Sequence, residues 1–159
     1  MKLDSFRVTN FRSVEDSGEI TLKDLVCLVG KNEAGKTALL NALGGLNPHP
    51  ATPLAYDKER DYPRRHLNDY AARHPESQGE AVVVTSSWTL SPAEVRLFTD
   101  ELGPGCLNSN SVVIWRRYGD EACQFKVNLD YGAIIEHLME AHGLDEAEQI
   151  GRASCRERV

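Results

Sequence analysis

An α/β fold organised around a strand–loop–helix unit is what the sequence predicts, and three observations carry that expectation. Residues 25–29 (LVCLV) form a short continuous apolar run of the kind that fills central parallel strands. Residues 30–37 (GKNEAGKT) follow the pattern G-x-x-x-x-G-K-[ST]. Residues 36–43 then place apolar side chains at 39, 40 and 43, a helical spacing, and Gly44-Gly45 predicts the helix end.

The remaining elements follow in chain order. Residues 6–11 (FRVTNF) alternate apolar and polar side chains and predict a strand. Residues 18–22 (GEITL) predict a second, reached by a turn at Asp16-Ser17-Gly18. From Gly44 to about Pro63 the prolines at 48, 50 and 53 predict an irregular connection. The charged stretch 58–74 is expected to hold a short helix after Pro63. Residues 81–90 (AVVVTSSWTL), rich in β-branched side chains, predict a strand. Ser91 and Pro92 suit the N-cap and first position of a helix over 93–102, ended by Gly103-Pro104-Gly105. Residues 111–118 and 122–129 predict a hairpin about Gly119-Asp120, and 131–141 a last helix stopped at His142-Gly143. Trp88 and Trp115 lie in expected strands and are assigned to the core.

The 30–37 pattern is a phosphate-binding loop, and each fixed residue has a mechanical task. Gly30 and Gly35 permit backbone angles that a side chain forbids. The loop can then turn its N–H groups, from about Asn32 through Glu33, Ala34 and Gly35 to Thr37, toward phosphate oxygens. Lys36 supplies a point charge for the β- and γ-phosphates, and the Thr37 hydroxyl is placed to ligate Mg²⁺. Lys31 belongs to the same loop, and Ala38 opens the helix whose N-terminal dipole faces the phosphates. Glu33 is expected to face outward and to contribute its N–H rather than to act as a base. Ordinary residue frequencies give the pattern by chance in roughly half a per cent of chains of this length.

Two strands precede the loop, and antiparallel strands with a helix between them follow it. The expected sheet is therefore mixed, with an antiparallel part. That order differs from the strict strand–helix alternation of a nucleotide kinase or small GTPase, and neither a base-reading N-K-x-D nor an arginine-rich lid is evident. A different phosphate-loop class of that sort, or a non-catalytic nucleotide-binding interaction module, are the alternatives.

The bulk numbers exclude some classes. The 159 residues suffice for one domain, and 41% hydrophobic with 26% charged residues is a globular composition. A net charge of −6 gives no basic footprint for nucleic acid, although a local patch can bind DNA on an acidic protein. No apolar run approaches membrane-spanning length, and the N-terminus lacks a secretory signal. The cysteines at 27, 106, 123 and 155 and the histidines at 49, 66, 74, 137 and 142 show no metal-ligand spacing. A cytoplasmic protein with Cys27 in a buried strand is the expectation. The last ten residues, IGRASCRERV, equal one reading frame of a widely used sequencing adapter, and 150–159 are expected not to be native. Without their three Arg and one Glu, 15 basic and 23 acidic residues remain, net −8. On this expectation the native sequence continues past Gln149, and 1–149 is a truncated domain.

Asn10-Phe11-Arg12-Ser13, the short strand ending at Leu22 and the stretch from Leu28 to Thr37 together resemble the ATPase heads of RecF, SMC and OLD-type (overcoming lysogenisation defect) proteins. The likeness is greatest to the AAA-type ATPase domain of OLD endonucleases, and Asp61-Tyr62-Pro63-Arg64-Arg65 also resembles a segment of that group. The resemblance covers 1–45 well and 46–130 only by element order. It implies an ABC-type fold, of which this chain holds the first lobe, incomplete: a phosphate loop and an antiparallel subsheet. It implies ATP and Mg²⁺ as ligands, Arg12 near the bound nucleotide, and two heads sandwiching ATP as a homodimer. It also implies action on DNA in repair or phage defence. The Walker B carboxylate, the signature motif and a Toprim nuclease domain would lie beyond Gln149, so no catalytic residue is expected here and ATP should bind without turnover. Arg60, Arg64, Arg65 and His66 are expected to form a solvated charged face.

Overall fold

The computed structural model describes residues 1–31, 35–47 and 55–143. Loop residues 32–34 and the stretch 144–159, including the expected adapter-derived tail, lie outside the described residues. The chain divides into two units, Met1–Thr89 with Ser111–Val127, and Leu90–Asn110 with residues from Asn128 onward.

In the first unit the sequence folds as a mixed α/β arrangement on an antiparallel sheet. Its strands are β1 (Lys2–Phe11), β2 (Val14–Asp16), β3 (Ile20–Thr21), β4 (Val82–Thr89) and those parts of β5 (Leu107–Arg117) and β6 (Gln124–Leu129) that fall within Ser111–Val127. The order is β2-β1-β4-β5-β6, with β3 also paired to β1. Strand β1 is antiparallel to β2, β3 and β4, and β4 is antiparallel to β5. Phe6 lies opposite Ser86 and Val8 opposite Val84, so the alternation read from 6–11 directs Phe6 and Val8 into the core. Helix α1 (Lys36–Leu46) adds Ala38, Ala42 and Leu46 to the same cluster, with Phe11, Val83, Tyr62 and Tyr118. Each large apolar side chain buried there contributes about 1.5–3 kcal/mol.

In the charged stretch a short helix, α2 (Lys58–Asp61), stands before Pro63, and the short helix after Pro63 is α3 (Tyr70–Arg73), preceded by a 3₁₀ turn at Arg64–His66. In the second unit α4 (Pro92–Leu102) begins as expected: Ser91 accepts from the Glu94 N–H, and Glu94 closes a capping box. Helix α5 (Tyr131–His142) starts on Asp130, whose carboxylate accepts from the N–H groups of Gly132 and Ala133.

Three expectations are corrected. Residues 25–29 form no strand: Leu25 is 89% and Val29 86% exposed, and Cys27 is exposed rather than buried. A parallel strand pairs only when a crossover connection brings a second strand alongside. No described strand lies beside this run. The segment 18–22 is strand only at Ile20–Thr21, and the preceding Val14–Asp16 forms a strand the pattern did not reveal. Finally, α1 does not stop at Gly44-Gly45 but runs to Leu46.

Packing explains the last correction. A Cβ at Gly45 would stand 2.5 Å from Tyr56 Cε1. The Tyr56 ring lies against the helix there, donating its hydroxyl to the Ala42 carbonyl at 2.6 Å. Arg116, nearly buried, donates from Nη1 to the Gly45 carbonyl at 2.5 Å and stacks on Tyr56 at 5.1 Å. Gly45 is therefore a close-approach residue, and Arg116 takes up a carbonyl of the last helical turn. Gly45→Ala, ordinarily stabilising in a helix by about 0.5–1 kcal/mol, is expected here to lower the unfolding free energy by roughly 1–3 kcal/mol through overpacking. Urea denaturation measures this, and a midpoint at or above wild type would contradict the packing.

Candidate functional site

The phosphate loop joins the exposed run 25–29 to α1. Gly35 is the N-cap of α1 in the left-handed region (φ 83°), and its carbonyl accepts the Leu39 N–H at 2.9 Å. A Cβ at Gly35 would meet Val14 Cγ2 at 3.0 Å and Ser13 Oγ at 3.2 Å, so the conformation favours glycine and a side chain would also crowd the hairpin tip. Lys36 Nζ reaches back across the loop and donates to the carbonyls of Gly30 and Lys31, each at 2.6 Å. An ammonium has three N–H donors, so among the described residues one remains for a ligand oxygen. Thr37 is exposed on the first turn, where its hydroxyl can meet a cation, while Ala38 is buried and anchors the helix. Asn32, Glu33 and Ala34, expected to line the loop, lie outside the described residues. The left-handed N-cap at Gly35 and the ammonium of Lys36 beside the helix start fit a phosphate group.

Arg12 sits in the two-residue connection of the β1–β2 hairpin, between the paired residues Phe11 and Val14. Its φ is 53° and that of Asn10 is 54°, a left-handed conformation uncommon outside glycine. Tertiary contacts hold it there. The Arg12 N–H donates to the Asp61 carbonyl at 2.5 Å, and Nε donates to Asp61 Oδ1 at 2.9 Å. Asn10 offers its carbonyl to the Tyr118 hydroxyl at 2.6 Å. The neighbours of Arg12, Ser13 and Val14, are the residues that line Gly35. The hairpin tip and the phosphate loop therefore adjoin.

In the charged stretch after Asp57, Arg60, Arg64 and Arg65 are exposed and His66 is half-buried, while Asp61 is buried. Arg60 pairs with Asp61, its Nη2 at 2.7 Å from Oδ2. Arg65 and His66 both engage Glu15 of β2, His66 Nε2 lying 2.9 Å from Oε1. Behind them Tyr62, fully buried, packs edge-on to Tyr70, Tyr118 and His74. Burial, with Arg73 nearby, pushes the His74 pKa below the usual histidine value, so its ring is neutral at pH 7 beside the Tyr62 hydroxyl. Burial likewise raises the Tyr70 hydroxyl to about 12. This aromatic packing fixes Asp61 opposite Arg12.

Sequence reasoning missed Asp61 and Arg116 as organising residues. Arg116 had a readable signal: it shares the inward alternation of β5 with Val112 and Tyr118. Asp61 lay in the segment 61–65 that the family resemblance picked out, but no pattern announced its burial against Arg12, 49 residues away.

Burial pushes the Asp61 carboxyl up, but hydrogen bonds from Arg60, Arg12 and the Asp57 N–H outweigh it, and the pKa lies below the ordinary 3.8. A depressed carboxyl stabilises the fold fully above its unfolded value, and that contribution is lost as pH falls through the folded value. Thermal melts of wild type should therefore lose stability as pH drops below about 4. Asp61→Asn should melt lower at neutral pH and show a shallower acid slope. Identical slopes would remove Asp61 from the acid response.

Among the described residues no helix is long and apolar enough to cross a membrane. No curated protein matches the chain. Residues 1–47, which hold β1 to β3, the phosphate loop and α1, match the family model described as AAA ATPase domain, and this supports an ATP-binding ATPase of the AAA type.

Proposed function

We propose that this chain carries the ATP-binding portion of an ATPase head of the OLD-endonuclease, RecF and SMC kind, serving DNA repair or phage defence in the cytoplasm. The observation that carries the reading is the loop at 30–37, with a left-handed N-cap at Gly35 and Lys36 bridging its carbonyls, inside the span that matches an AAA ATPase domain. In this reading Gly30, Lys31, Asn32, Glu33, Ala34, Gly35, Lys36, Thr37 and Ala38 form the phosphate cradle, with Arg12 at its rim. Thr37 would ligate Mg²⁺, whose charge neutralises the β- and γ-phosphates.

Residues 1–149 are proposed as the first lobe of the head and 150–159 as adapter-derived. The exposed run 25–29 supports an incomplete lobe, because five consecutive apolar residues have the composition of a buried strand and lack a neighbour among the described strands. The carboxylate that orients the attacking water would come from sequence after Gln149. DNA engagement and pairing of two heads would belong to the longer protein.

Titration with a fluorescent ATP analogue and Mg²⁺ tests the reading. The chain should bind ATP and release no phosphate above background. Lys36→Ala should weaken binding at least about tenfold, the scale of one charge-assisted phosphate contact. Tight binding by that variant, or strong preference for GTP in competition, would overturn the assignment.

A further inference from the structure

The Asp61 side chain is 1% exposed, yet both guanidiniums it receives belong to solvent-facing residues, Arg12 at 43% and Arg60 at 63%. The two arginines are held differently. Arg60 places Nη2 and Nε on Oδ2, at 2.7 and 3.3 Å, and spends one edge of its fork on the carboxylate. Arg12 gives Asp61 only Nε, at 2.9 Å from Oδ1, besides its backbone N–H. Its guanidinium lies over the Phe11 ring at 5.1 Å. Among the described residues, no hydrogen bond is made by Arg12 Nη1 or Nη2. A guanidinium anchored by Nε presents those two nitrogens as a pair, the geometry that receives two oxygens of one phosphate. The tip that carries Arg12 also carries Ser13 and Val14, which pack on the N-cap of the phosphate-loop helix.

We infer that Asp61 is a positioning residue for nucleotide binding: by gripping Arg12 at Nε and at its backbone N–H, it fixes the outer edge of that guanidinium beside the phosphate loop as a bidentate contact for phosphate oxygens. The inference rests on the reading of residues 30–37 as an ATP cradle. The left-handed backbone at Arg12 belongs to the same device. Such a conformation costs of order 1–3 kcal/mol and persists where surrounding contacts impose it. Here one aspartate imposes it through both main chain and side chain. Arg60 and the Asp57 N–H, at 3.2 Å from Oδ2, keep the carboxylate ionised and in place.

The test is equilibrium titration of the chain with Mg²⁺ and ATP, for wild type, Arg12→Ala, Arg12→Lys, Asp61→Asn, the double variant Arg12→Ala/Asp61→Asn, and Lys36→Ala. Asp61→Asn and Arg12→Ala are each expected to weaken ATP about tenfold, and the double variant to bind no more weakly than Arg12→Ala alone, because both changes remove one contact. Arg12→Lys should bind more weakly than wild type, since an ammonium lacks the planar pair of N–H groups that receives two oxygens of one phosphate while Nε stays on the carboxylate. Wild-type affinity in Asp61→Asn, additive losses in the double variant, or wild-type affinity in Arg12→Lys would each overturn the inference. Circular dichroism verifies folding; if Asp61→Asn does not fold, Arg12→Lys decides. Failure of the positioning role alone shows as Lys36→Ala losing ATP while Asp61→Asn keeps it. A wild-type chain that binds no ATP refutes the cradle and the positioning role together.

Discussion

Strand β1 is the constraint on which the N-terminal unit depends. One edge of it pairs with β4 across some eighty residues of chain, and its remaining partners β2 and β3 come from the sequence that follows directly. A strand hydrogen-bonded along most of its length satisfies its own backbone groups and can be buried on a face. That face supplies Phe6, Val8 and Phe11 to the cluster that receives α1. The helix start, and with it the phosphate loop, is therefore placed by β1 through packing and by the β1–β2 tip through contact with Gly35. Closing the long interval between β1 and β4 costs loop entropy before any of those contacts forms. The local β1–β2 and β1–β3 pairings offset part of that cost early.

What the chain shows in one dimension and what it hides follow from the range of the interactions. The capping box at Ser91 and Glu94, strand β4 and helix α5 were legible, because each is set by residues within a few positions. The loop at 30–37 was legible because phosphate binding demands fixed residue types at fixed spacing. The run 25–29 was misread for the opposite reason: an apolar pentapeptide states what a strand requires and not whether a neighbour is present. Gly44-Gly45 was misread as a stop because glycine serves both helix ends and close approaches, and only the position of Tyr56 distinguishes them. The Asp61 anchor was invisible, since nothing in the spacing of Arg12 and Asp61 announces their meeting.

The two arginines of the N-terminal unit that lie against aromatic rings, Arg12 on Phe11 and Arg116 on Tyr56, are placed by different acceptors. Arg116 is turned inward, its donors on the carbonyls of Gly45, Asp120 and Glu121, and it joins α1 to the β5–β6 connection. Arg12 is turned toward solvent by a carboxylate behind it. The same residue type thus serves cohesion in one place and display in the other. Both arginines are held at Nε, Arg116 by the Asp120 carbonyl at 3.3 Å and Arg12 by Asp61. They differ in that the Nη groups of Arg116 also take up carbonyls, whereas among the described residues those of Arg12 make no hydrogen bond.

The exposed segment Leu25 to Val29 bears on the colloidal behaviour of the chain. Five apolar residues without internal charge, two of them β-branched, form a window with the composition of self-associating β-segments. Lys23 and Asp24 stand immediately before the window and Lys31 shortly after it, so charge brackets it on both sides. Such flanking charges act as gatekeepers, raising the cost of stacking identical segments in register. The same three side chains leave the apolar run itself unaltered, so a partner strand of the correct register can still cover it. The sequence thereby separates two outcomes that hydrophobicity alone would favour equally, productive completion of a sheet and indiscriminate coalescence.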